Sequence, residues 1–125
     1  MELLLITGTE KTPTVKFDAL NGLIEISGKS IPEDTYEFFK PLNERVDKYI
    51  QTPQKQTIVN INLEYFNTST SKVLFNVLKK LEKLHEANSK VIINWYYEED
   101  DEDIQEAGED YSSVIKIPFN MVRII

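Results

Sequence analysis

The run Ile58-Val59-Asn60-Ile61-Asn62-Leu63 passes through Tyr65-Phe66-Asn67-Thr68-Ser69-Thr70-Ser71 into a segment carrying Val73, Leu74, Val77, Leu78, Leu81 and Leu84. The first stretch alternates with β-branched apolar residues, the period of a strand with a buried face. The second repeats every three to four residues, the period of a helix with one apolar stripe. Lys72, Asn76, Lys79, Lys80, Glu82 and Lys83 fall on the opposite side of that helix. A strand is therefore delivered into a helix through a turn with four consecutive hydroxyls. Such a unit requires a sheet with helices packed on it.

The remaining elements fit that requirement. Val15-Lys16-Phe17 and Leu23-Ile24-Glu25-Ile26-Ser27 flank Asn21-Gly22, a turn signal that predicts a β-hairpin. Pro32-Glu33-Asp34 opens a helical region with Tyr36, Phe39, Leu42, Val46, Tyr49 and Ile50 at helical spacing. Pro41 lacks a backbone donor and crowds the preceding turn, which predicts a short turn or helix before Phe39 and a longer helix starting near Pro41. Further along are a helix over residues 70–86, a strand over 90–96, an acidic segment running into a short helix, and a strand over 113–117. Residues 121–125 read as a tail or a last short strand. The expectation is one α/β domain over residues 1–125, a mixed β-sheet with helices packed on it, and the turn at Thr68 at the carboxyl end of a central strand.

Two readings of the hydroxyl run compete. Ser and Thr cap helices, because a side-chain oxygen accepts from the free N–H groups of the first turn. Capping needs only one such residue. The surplus suits a phosphoacceptor, since a phosphate there would lie near the positive end of the helix dipole with Lys72 close by.

Four separated segments carry a resemblance: Gly28-Lys29-Ser30-Ile31-Pro32-Glu33, Tyr65-Phe66-Asn67-Thr68-Ser69, Asn94-Trp95-Tyr96-Tyr97 and Glu106-Ala107-Gly108-Glu109-Asp110. Over nearly its whole length the chain resembles the SiaC family of bacterial regulators, which is similar in fold to the STAS anti-sigma factor antagonists. The resemblance implies a STAS-like sheet and a non-catalytic switch phosphorylated on the Thr of the Asn-Thr-Ser turn, here Thr68. It implies a partner kinase of histidine-kinase-like ATPase fold and a metal-dependent PPM-type phosphatase that removes the mark. It further implies that the unphosphorylated form binds and activates a diguanylate cyclase, raising cyclic di-GMP and so acting on biofilm formation. Tyr65, Asn67, Thr68, Ser69 and Thr70 are then the expected partner-binding residues. Thr70 departs from the family's commonest turn, which has Ser there, and keeps the hydroxyl. The alternatives are a constitutive binding module of the same fold and an anti-sigma factor antagonist in a partner-switching pathway.

Inventory excludes most catalysts. No cysteine is present, which removes thiol nucleophiles and thiolate metal sites, and His85 is the single histidine. None of the four glycines falls in phosphate-loop or dinucleotide spacing. Metal and cofactor are accordingly not expected. The net charge of −7 is local: residues 98–110 hold nine of the 21 acids and no base, leaving the rest nearly neutral. That distribution argues against nucleic acid, whose phosphates this segment would repel. The EF-hand pattern is absent from it, so it reads as a solvated face. Leu3-Leu4-Leu5-Ile6 is too short for an export signal and no apolar stretch approaches a bilayer's thickness, so no membrane association and a cytoplasmic location are expected.

Overall fold

The alternating strand pattern forms a single sheet of six strands in the order in which they occur. In the computed structural model, which describes residues 3–125, these are β1 (Leu4–Ile6), β2 (Thr14–Asp18), β3 (Leu23–Ser30), β4 (Gln56–Phe66), β5 (Lys90–Glu98) and β6 (Phe119–Ile124). The first three pair antiparallel and β3 to β6 pair parallel. Helices α1 (Thr35–Tyr49), α2 (Thr68–Glu86) and α3 (Glu102–Val114) connect the parallel strands. Right-handed crossovers that always advance in one direction put every helix on the same face of the sheet.

Burial follows from that arrangement. Phe17, Ile24, Ile26, Val59, Ile61, Ile93 and Trp95 point under the helices and are fully buried, meeting Phe39, Leu42, Val46, Leu74, Leu78 and Leu81. The residues between them face the other way, where no helix lies. Glu25, Asn60, Asn94 and Asn120 stand opposite one another there. Asn60 donates to the Glu25 carboxylate at 3.1 Å, Asn94 to the Asn60 oxygen at 2.9 Å, and Asn120 to the Asn94 oxygen at 3.0 Å. A polar file thus keeps four strands in register on the open face.

The hairpin is found as expected, with Gly22 at φ 63°, a conformation glycine adopts at no steric cost. Two expectations are corrected. Pro41 does not divide its region, since α1 runs unbroken from the Asp34 cap, whose carboxylate accepts from the Glu37 N–H. Glu37, whose carbonyl loses its partner, and Pro41 are both exposed, so the cost falls on the solvent side of the helix while Phe39, Leu42 and Val46 hold it down. Residues 113–117 are not a strand: α3 extends to Val114, and Ile115 and Ile117 enter the core from the connection that follows. The last strand is β6, which includes most of the segment read as a tail or strand. The apolar residues near the amino terminus supply β1, an edge strand.

Lys116 shows what the connection does with its backbone. Its N–H donates to the Glu82 carboxylate at 2.6 Å instead of to a neighbouring strand, and Lys79 pairs with the same carboxylate at 3.2 Å. The bond from Lys116 holds Glu82 below the usual carboxylate range, against the opposing effect of burial, with help from Lys79. A lowered folded-state pKa stabilises the fold above the unfolded value and loses that contribution as pH falls through the folded one. Glu82→Gln is therefore expected to lower the urea midpoint at pH 7, the two proteins converging as the wild-type carboxylate protonates below about pH 4. A deficit that stays constant across that range would show that charge at Glu82 is irrelevant.

Candidate functional site

The turn between β4 and α2 is shaped by a register break one step earlier. Leu63 pairs with Gly28 and Tyr65 with Lys29, which leaves Glu64 as an extra residue in β4. A one-residue bulge reverses the facing of everything after it. Tyr65 is turned outward, 56% exposed, and Phe66 returns to the core side, edge-on to Trp95 at 6.0 Å. The chain then leaves the sheet at Asn67, whose N–H donates to the Ser30 carbonyl at 3.1 Å.

The cap of α2 is Asn67, not one of the hydroxyls. Its Oδ1 accepts from the Thr70 N–H at 2.9 Å, and its extended backbone carries the chain into the helix. All four hydroxyl residues therefore lie inside the first turn and are released from capping. Three are tied to other elements. Ser69 donates to Asn67 Oδ1 at 3.1 Å and bonds Thr35 Oγ1, at the start of α1, at 2.6 Å. Thr70 donates to the Ser30 carbonyl at 3.2 Å and bonds Ser30 Oγ at 2.8 Å. Ser71 bonds the hydroxyl of Tyr111 in α3 at 2.8 Å, while Tyr111 donates to the Ser71 carbonyl at the same distance.

Proton arithmetic completes the assignment. Each hydroxyl has a single proton to give. With Ser69 donating to Asn67, Thr35 is the donor to Ser69; with Thr70 donating to a carbonyl, Ser30 is the donor to Thr70. The Tyr111 proton goes to a carbonyl, so Ser71 is the donor to the phenol oxygen. Burial raises the Tyr111 pKa, keeping the phenol neutral and able to donate. Thr68 is different. It is exposed, and among the described residues no side-chain partner meets its hydroxyl. Its proton is uncommitted, on an exposed residue at the first position of α2.

Of the residues expected to bind a partner, Tyr65 and Ser69 are exposed and Asn67 is half-buried. Thr70 must be withdrawn from the accessible surface: it is 0% exposed, and its side chain faces β3 instead of solvent. Tyr36 was counted with the apolar face of its helix, yet it is 74% exposed, next to the Thr35 that meets Ser69. Its position between a helix cap and the buried Phe39 gave the only clue. Two uncovered tyrosines thus border the region of Thr68.

Other candidates resolve into structural roles. His85 Nδ1 accepts from the Val91 N–H at 3.3 Å, tying the end of α2 to β5. Trp95 is buried and donates to the Ile104 carbonyl at 2.9 Å. Asp101, within the acidic segment, caps α3 by accepting from the Ile104 N–H at 3.0 Å. Among the described residues no group of three or more acidic or histidine side chains is placed to hold a metal ion, and no helix is long and apolar enough to cross a membrane.

The family model described as SiaC family regulatory phosphoprotein matches residues 6–124. The chain belongs to the SiaC family. It is similar to SiaC of Pseudomonas aeruginosa, with a TM-score of 0.91 at 28% identity over 99% of this chain and 100% of the other. It is equally similar to a chain in the crystal structure of the diguanylate cyclase SiaD in complex with its activator SiaC from the same organism. That match has a TM-score of 0.91 at 29% identity, covering 97% of this chain and 99% of that one. An uncharacterized protein of Pseudomonas aeruginosa strain UCBPP-PA14 is 30% identical over 119 residues, 95% of this chain and 94% of its own. This SiaC family member is thus a regulatory protein and not a catalyst, and its six-stranded mixed sheet with three helices is the architecture of the solved SiaC structures.

Proposed function

We propose that this protein is a switch whose contact surface is rewritten by phosphorylation of Thr68. The observation that carries the reading is the sorting of the four hydroxyls, which leaves Thr68 alone with an uncommitted proton on the solvent side. Phosphoryl transfer to an alcohol needs an oxygen that can approach in line and a proton that can leave, and only Thr68 offers both without breaking a tie to another element. A phosphoryl group brings about −1.5 to −2 charges at neutral pH. Because Asn67 caps the helix and the other hydroxyls pin it, the charge alters recognition without refolding the turn.

The partner under control is a diguanylate cyclase, bound by the unphosphorylated form, so that phosphorylation lowers cyclic di-GMP output. Support comes from the SiaC relative solved with SiaD as its activator. The phosphate is added by a kinase of histidine-kinase-like ATPase fold and removed by a PPM-type phosphatase, all acting in the cytoplasm. Tyr65, Asn67 and Ser69 form the surface around the acceptor, with Tyr36 added from α1.

Calorimetry of the two forms with the cognate diguanylate cyclase tests this. The unphosphorylated protein is expected to bind at least about tenfold more tightly, a difference of about 1.4 kcal/mol, with superimposable far-UV circular dichroism. Equal affinities would leave a constitutive binding module in place of a switch.

A further inference from the structure

A cleft of about 450 Å³ runs between α2 and α3, on the outer side of the helical layer. One end is closed by a hydrogen-bonded tie. At the start of α2, Ser71, which lines the cleft, meets Tyr111. Beyond this tie the floor is apolar. It consists of Phe75, over whose ring Lys79 sits 5.9 Å from the centroid, together with Ala107, the flank of Tyr111 and Val114. Val114 is 51% exposed, one of only seven large apolar side chains so uncovered among the described residues.

Helix α3, which forms one wall of this cleft, carries one sign of charge along its exposed surface. Glu102, Asp103, Glu106, Glu109 and Asp110 are all exposed, and among the described residues none of them forms an ion pair. No Lys or Arg occurs between residues 98 and 115. The first-turn acids Glu102 and Asp103 suit the positive end of the α3 dipole, but Glu106, Glu109 and Asp110 lie beyond the reach of that effect. Asp110 lines the cleft directly. The apolar floor seeks an apolar side chain and the wall beside it seeks cations.

We infer that this cleft docks an amphipathic helix of a partner protein, with one apolar stripe seated on Phe75, Ala107 and Val114 and Lys or Arg residues facing Glu106 and Asp110. A groove between two helices accepts a third helix through side chains spaced three and four apart. Charge complementarity fixes which flank of that helix is basic. The surface is separate from the Thr68 hydroxyl and does not depend on phosphorylation there.

The test uses the whole protein and a defined probe, an amidated helical peptide of Leu and Lys about four turns long, with Leu at i, i+3, i+4 and i+7. Amide chemical-shift changes are expected at Phe75, Ala107, Tyr111 and Val114. Val114→Asn, and separately Glu106→Gln with Asp110→Asn, should each weaken binding at least about fivefold, roughly 1 kcal/mol. Thr68→Ala should bind as wild type, which separates failure here from failure of the switch reading. A Leu-to-Ser version of the peptide that bound equally well would reduce the interaction to non-specific charge and overturn the proposal. Shifts confined to the open sheet face, or a dimer of this chain formed through the cleft, would overturn it as well.

Discussion

Thr68→Ala is expected to take up almost no phosphate from ATP and the cognate kinase, whereas Ser69→Ala should remain a substrate. The contrast follows from what each hydroxyl already does. Thr68 makes no side-chain hydrogen bond among the described residues and caps nothing, so its removal should change stability by no more than about 0.5 kcal/mol. Ser69 ties Asn67 to Thr35, and its loss should cost on the order of 1 kcal/mol while leaving the acceptor in place. Intact-mass measurement after incubation with kinase reads the result directly. Phosphate retained by the Thr68 variant and mapped to Ser69 would reverse the assignment.

Trp95→Ala is expected to destabilise the fold by about 3–5 kcal/mol, the range for emptying a large buried aromatic site. Trp95 is completely buried and meets Phe66, Tyr111 and Phe119 with ring centroids 5.4–6.2 Å away. Its indole N–H also holds the Ile104 carbonyl, so the mutation releases α3 from β5. Gly108 belongs to the same contact. A methyl group there would press on the Trp95 ring and on Met121, which is why the segment Glu106-Ala107-Gly108 carries no side chain at its innermost position. Urea denaturation gives the loss, and hydrogen exchange should show α3 amides losing more protection than those of α1. Uniform loss across the three helices would contradict the local role given to this residue.

The sequence revealed the strand-turn-helix unit because two periods meet there, and it revealed the acidic segment because charge is counted without geometry. It concealed the division of labour among the four hydroxyls. Thr68, Ser69, Thr70 and Ser71 are chemically alike, and what separates them is a set of partners (Thr35, Ser30 and Tyr111) distant in the chain. The bulge at Glu64 was harder to place, since Leu63-Glu64-Tyr65 has no glycine and its mark is Gly28 on the paired strand, at φ 102°, so the outward turn of Tyr65 could not be read from the period of β4 itself. Pro41 misled for a different reason. Its cost falls on the solvent side of α1, and three buried side chains on the other side outweigh it. Residues 115–117 imitate a strand because alternate members are buried, but the N–H of Lys116 goes to a carboxylate.

The unreversed strand order has a consequence for chemistry. In open parallel sheets, small ligands settle in the crevice made where the order turns back and neighbouring helices part to opposite faces. Here β3, β4, β5 and β6 follow one another without reversal, so the end of β4 has no such crevice. The exposed first turn of α2, which carries Thr68, takes the place of that crevice. It leaves a small ligand no flanking helices to close over it. On the phosphorylation reading proposed above, Thr68 is expected to act as a substrate, handled from outside by an enzyme that reaches it.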